Sequence, residues 1–101
     1  MPPVWTDLAG AADLVQDGDL AALGGHTRQA PMALLRELIR QGRRDLGLVT
    51  VPTGGLNVDL LIGAGAVSSL HFAQVSLEEY GMAPHFRRAL EQGLLTCFEY
   101  P

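Results

Sequence analysis

Asp19-Leu20-Ala21-Ala22-Leu23-Gly24-Gly25-His26-Thr27-Arg28-Gln29-Ala30-Pro31-Met32 is the stretch that decides the fold of this 101-residue chain. Residues 19–23 form a short apolar run that reads as a buried strand, although its two alanines favour strand only weakly. Gly24-Gly25 breaks the run, and a polar loop leads to Pro31, which suits the first position of a helix because its missing N–H costs nothing there. From Met32 onward, Met32, Leu35, Leu38 and Ile39 fall on one helical face while Arg36, Glu37, Arg40 and Gln41 fall opposite. Gly42 supplies a left-handed stop, and Arg40, Arg43 and Arg44 complement the negative end of the helix dipole. Strand, glycine turn and amphipathic helix together open a parallel α/β unit.

The same alternation continues in both directions. Upstream, Thr6 can cap a helix over 7–15, and Asp17-Gly18 marks the turn into the strand. Downstream, a strand is expected over 46–51, bounded by Pro52 and the Gly54-Gly55 pair. Residues 58–62 are apolar and open between helix and strand, and Gly63-Ala64-Gly65-Ala66 forms a small-residue turn. A strand over 69–75 leads to Ser76-Leu77-Glu78-Glu79, which has capping-box spacing. Pro84 opens a last helix through 92, Gly93 ends it, and residues 94–100 close the chain as a strand. Strands alternating with helices imply right-handed crossovers and a mostly parallel sheet, which needs helices on both faces. The expectation is one α/β domain over 1–101, partial in form, because its last strand is followed by nothing that could pack on it. A truncated unit, or one completed by a partner chain, would have this form.

Composition removes several function classes. The formal net charge is −4, and every one of the seven cationic side chains is arginine. A net-negative chain lacks the basic field that nucleic-acid binding requires. The most apolar stretch, 58–70, is interrupted by Asp59, two glycines and two serines and is too short to span a bilayer. The first residues have neither the cationic start nor the apolar run of a signal peptide. Cys97 stands alone, so no internal disulfide framework exists. The cytoplasm is the expected location, with no nucleic acid or membrane as partner.

Within the residues themselves, the loop 24–31 is the first candidate for chemistry. It lies between a strand end and a helix N-terminus, where ligands collect in open α/β sheets and where backbone N–H groups favour a phosphate or carboxylate. Gly24 and Gly25 permit close approach to the main chain, while Thr27 and Arg28 offer a hydroxyl and a bidentate cation. The plainer reading is a tight turn with Arg28 in water. Gly63-Ala64-Gly65-Ala66-Val67-Ser68 imitates a dinucleotide fingerprint, but the strand expected after it takes the place of the required helix, so close packing explains it better. His26, His71 and His85 are scattered without metal-ligand spacing. His26 alone lies where it could hydrogen-bond a substrate; His71 reads as a strand residue and His85 as a solvated first-turn residue. Cys97 reads as a small core residue. Arg36, Arg40, Arg43 and Arg44 form a solvated face, with Glu37 and Arg40 as an i,i+3 pair.

Several co-linear motifs then resemble one family. The run Asp17-Gly18-Asp19-Leu20-Ala21-Ala22-Leu23-Gly24-Gly25 with Pro31 is similar to the N-terminal signature of family I CoA-transferase α subunits. The helix from Pro31 to Gly42 with Asp45-Leu46, the run Asn57-Val58-Asp59-Leu60-Leu61-Ile62-Gly63-Ala64-Gly65-Ala66-Val67, and Ser76 through Gly93 continue the resemblance over nearly the whole chain. The resemblance implies a CoA-transferase-like fold and no permanently bound cofactor, with a coenzyme A thioester as substrate. It implies movement of CoA from an acyl-CoA to a free carboxylic acid through a glutamyl-CoA thioester carried by a β-type partner subunit. On this reading Gly24, Gly25, His26, Thr27 and Arg28 line the acyl-CoA pocket, and neither a catalytic residue nor a metal ligand lies in this chain. His26 stands where the family usually has an aromatic residue, the loop is about one residue shorter, and family α subunits are at least about twice as long. The resemblance also raises two alternatives: a CoA-dependent hydrolase or ring-opening subunit, in which Glu99 would be the acidic residue at a strand end, and a non-catalytic fragment or scaffold.

Overall fold

A computed structural model of the chain describes residues 3–24, 31–50, 53–72, 74–75, 77 and 81–99. Helix α1 spans Leu8–Ala12, and strand β1 follows at Leu20–Leu23. Helix α2 is Met32–Arg40, strand β2 Leu46–Thr50 and the short strand β3 Thr53–Gly54. Helix α3 is Leu56–Gly63, followed by strands β4 at Val67–Phe72 and β5 at Gln74–Val75. Helix α4 at Pro84–Glu91 and strand β6 at Thr96–Glu99 complete the order.

All pairings are parallel. The main sheet has the order β1-β2-β4-β6, and β3 pairs with β5 in a separate two-stranded sheet. Strands that lie side by side in chain order, joined by right-handed crossovers, must carry their helices on one face. The helices comply: α1 packs on α2, α2 on α3 and α3 on α4, as a single layer. The α/β class and the parallel sheet are therefore as the sequence implied, but of the two helical layers expected, these residues supply one.

Register explains which residues meet that layer. Ala21, Leu48, Leu70 and Cys97 are in line across the four strands, as are Ala22, Val49, His71 and Phe98 one residue further on. Successive side chains point to opposite faces. Leu48 and Leu70 are fully buried against Leu35, Val58 and Leu61 of the helices. The edge-to-face pair of Phe72 and Phe86, 5.3 Å between ring centres, joins β4 to α4. On the other face His71 and Phe98 stack 4.5 Å apart, with Phe98 still 44% exposed.

The apolar run at 58–62, open between helix and strand, is helical. Its neighbours decide the matter: Leu56 and Asn57 extend it upstream, and Gly65 adopts φ 75° just after it to stop it. Helix–turn–strand is the reverse of the order a dinucleotide fingerprint needs. At the N-terminus Asp7, not Thr6, caps α1, its carboxylate accepting from the Gly10 N–H at 2.8 Å. A Cβ on Gly10 would lie 2.0 Å from Thr6 Oγ1, so Thr6 packs beside the turn that Asp7 closes. Arg43 also departs from its expected place at the end of α2. Its guanidinium donates to the carbonyls of Val15 and Ala12, satisfying the C-terminal end of α1. Gly42, at φ 75°, ends α2 as expected.

Candidate functional site

The connections from β1 to α2, β2 to α3 and β4 to α4 all leave the same edge of the main sheet, where the carboxyl ends of its parallel strands lie. In open α/β sheets this edge is where ligands bind. Of the candidate pocket residues, Gly24 follows directly on β1 and is exposed. A Cβ built on it would meet no atom of the described residues within 4 Å. Gly25, His26, Thr27 and Arg28 lie outside the described residues, as does the Ser76–Glu79 capping box except for Leu77.

The second connection resembles the first in chemistry. Gly54 approaches α3 so closely that a Cβ would lie 3.0 Å from Val58 Cγ2. The Gly55 N–H donates to Asn57 Oδ1 at 3.3 Å, and Asn57 is buried in the first turn of α3. Beneath this turn, at the end of β2, Thr50 Oγ1 is buried without a hydrogen-bond partner among the described residues.

The third connection contains the residue whose part the sequence did not disclose. Asp59 is 2% exposed in α3, and its carboxylate reaches the start of α4. Oδ1 accepts from the Phe86 N–H at 2.7 Å and Oδ2 from the His85 N–H at 3.3 Å. Ala83, at the N-cap of α4, has no side chain able to accept these bonds. Asp59 therefore caps α4 from another helix, and that helix N-terminus already has an internal acceptor. The available signal was an aspartate inside an otherwise apolar helix together with Ala83-Pro84 lacking a capping side chain.

Most of the remaining candidates have structural surroundings. The His85 ring is half-buried over Gly63, where a Cβ would come within 2.6 Å of it, so it is a packing residue and not the solvated one expected. His71 is a strand residue, as expected. Burial, with a smaller contribution from nearby Glu99, pushes the Cys97 thiol up, away from the thiolate a nucleophile requires. Glu99 is exposed at the C-terminal end of β6, in register with Phe72. Glu37 is nearly covered on α2, and hydrogen bonds from Arg40, then Gln41, hold its carboxyl below the usual range. Arg40 is thus a partner of Glu37, as the i,i+3 spacing implied.

Residues 6–101 match the family model described as coenzyme A transferase. The chain belongs to that family. It is 44% identical over 85 residues to a 3-oxoadipate CoA-transferase subunit from Pseudomonas knackmussii, an alignment covering 84% of this chain and 30% of that protein. It is 34% identical over 87 residues to the cholesterol ring-cleaving hydrolase IpdA subunit of Rhodococcus jostii, covering 84% of this chain and 29% of the relative. Among solved structures, glutaconate coenzyme A-transferase from Acidaminococcus fermentans superposes with a TM-score of 0.85 at 34% identity, covering 94% of this chain and 31% of that one. A variant of the decarboxylase AibA/AibB superposes equally well, at 36% identity over 97% of this chain and 38% of the other. The chain thus spans less than a third of the length of the curated relatives it matches, and its likeness is to family I CoA-transferase α subunits. Among the described residues no helix is long and apolar enough to cross a membrane.

Proposed function

We propose that this chain is the N-terminal part of a CoA-transferase α subunit that works only with a β-type partner. The reaction moves CoA from an acyl-CoA to a free carboxylic acid through a glutamyl-CoA thioester on the partner. A covalent intermediate of this kind divides one difficult acyl transfer into two easier ones. The observation that carries the reading is the 44% identity to a 3-oxoadipate CoA-transferase subunit, which extends over 84% of this chain. The role of this chain is then to shape the acyl-CoA pocket. Gly24 and Gly25 let the thioester approach the main chain, Thr27 and Arg28 bind an anionic group, and His26 hydrogen-bonds a carbonyl or carboxylate. The raised thiol of Cys97 is consistent with a nucleophile supplied by the partner.

Gly24 gives the sharpest test, because no described residue lies within 4 Å of its side-chain position. In the complete protein with its partner, Gly24→Ala is expected to leave thermal stability unchanged while raising KM for acyl-CoA. Unchanged KM in a folded variant removes Gly24 from the pocket. A purified chain with full transferase activity and no partner would overturn the two-subunit reading.

A second reading, CoA-dependent hydrolysis or ring opening, is favoured by the 34% identity to a ring-cleaving hydrolase subunit and by the exposed Glu99 at the carboxyl end of β6. Under it, Glu99→Gln abolishes turnover and no glutamyl-CoA adduct forms; under the transferase reading, Glu99→Gln retains activity.

A further inference from the structure

Three observations converge on the helix pair α3–α4. First, α4 begins without a cap of its own, since Ala83 occupies the N-cap and Pro84 the first helical position. Second, the free N–H groups of His85 and Phe86 are both taken by the carboxylate of Asp59, 26 and 27 residues away in sequence. Third, Asp59 is itself in the first turn of α3, so one buried carboxylate lies between the positive ends of two helices that leave the site edge of the sheet.

We infer that Asp59 is a positioning residue, fixing the entry to α4 so that the described residues before it, Leu77 and Gly81–Ala83, form a rigid border of the acyl-CoA site. The inference rests on the CoA-transferase reading above. Leu77 is two residues beyond β5, and its N–H donates to the Gly81 carbonyl at 2.9 Å. Ala83 is fully buried, whereas Met82 just before it is more than half exposed. The border is therefore anchored at Ala83, His85 and Phe86, while the Met82 side chain is exposed. The Asp59 contacts are the only hydrogen bonds among the described residues that join α3 to the start of α4. The remaining ties are apolar or steric, such as the His85 ring over Gly63. Apolar packing is not directional, while a carboxylate accepting two backbone N–H groups specifies where the helix starts.

The test uses the complete protein with its partner and acetyl-CoA as probe. Asp59→Asn keeps the size of the side chain but turns one acceptor oxygen into a donor facing an N–H. It is expected to weaken acetyl-CoA binding about tenfold and to speed amide exchange at residues 81–86. Leu46→Ala is the control: Leu46 is buried at the opposite, N-terminal edge of the sheet, so the variant loses stability but keeps acetyl-CoA affinity. If Asp59→Asn does not fold, His85→Pro removes one of the two donors together with the ring over Gly63, so it is compared with His85→Ala, which removes the ring alone, and a loss of affinity beyond that of His85→Ala is expected. Wild-type affinity and exchange in the folded Asp59 variant, or affinity in His85→Pro equal to that of His85→Ala where His85→Pro stands in for it, overturn the inference. Equal loss of affinity in Asp59→Asn and Leu46→Ala also overturns it, because general destabilisation would then explain the effect. If the wild-type complex itself fails to bind acetyl-CoA, the CoA-transferase reading fails, and exchange at 81–86 alone decides whether Asp59 holds the start of α4.

Discussion

The two faces of the central sheet are made from neighbouring residues of the same strands, yet they obey different rules. Leu48 and Leu70 point into the helical layer and are fully buried, while one residue further along, Val49 is 37% exposed and Phe98, two strands away in the same register, 44%. Leu20, on the same open face, is 64% exposed. A buried parallel strand is expected to be apolar on both faces, and the open face of these strands holds Leu20, Ala22, Val49 and Phe98 beside Gly47, Ser69, His71 and Thr96, with no carboxylate or arginine among the described residues. The difference is chiefly one of cover. The helical face takes its energy from this chain, and the open face has large apolar side chains with no helical layer of the described residues over them.

The largest effect should come from the covered side. Leu48→Ala is expected to cost about 2–5 kcal/mol in denaturant unfolding of the 101-residue chain, whereas Val49→Ala next to it costs less than about 1 kcal/mol. Similar losses at both positions would mean that the faces are equally packed and would break the comparison. Two glycines sharpen it further. Gly63→Ala must displace the His85 ring within the α3–α4 contact, at a cost of roughly 1 kcal/mol or more. Gly47→Ala brings a Cβ to 2.9 Å from Ser69 Oγ and 3.0 Å from Leu20 Cδ1, side-chain atoms on the open face, so its cost is expected to be smaller than that of Gly63→Ala.

The smallest effect is electrostatic. Hydrogen bonds from Arg40 and Gln41 hold the Glu37 carboxyl below its ordinary value, so the folded state favours the ionised form. That contribution is fully present above the unfolded-state value of about 4.3 and is lost as pH falls through the lower folded-state value. Glu37→Gln should therefore lower stability slightly at neutral pH, flatten the acid limb and converge on the wild type at low pH. A steeper acid limb in Glu37→Gln would show the opposite linkage.

Local chemistry made the elements legible. Gly42, Gly93 and the Pro31 and Pro84 helix starts mark boundaries because backbone restrictions act within a few residues. Helix α2 was readable from its two-sided pattern, but α3 was not, since it is buried nearly all round and an apolar run of that length suits a strand as well. The one-sided helical layer was hidden because strand order, and not residue type, determines which face a crossover covers. Arg43 and Asp59 were misread or missed for a related reason. Arg43 acts on α1 and Asp59 on α4, each about 26 to 31 residues away, and spacing along the chain has no record of such partners. For the site, the glycine connections and the family likeness were legible, and Gly24 is at the expected strand end. The positioning of the third connection by a buried carboxylate emerged only with the fold.

The central claim is that this chain shapes an acyl-CoA site while the nucleophile belongs to a partner. It is tested most directly by incubating the complete two-subunit protein with acyl-CoA, reducing with borohydride and mapping the modified residue by peptide mass spectrometry. The predicted result is a reduced glutamyl adduct on the partner and none on this chain. An adduct on a residue of this chain, or turnover without any adduct, would contradict it.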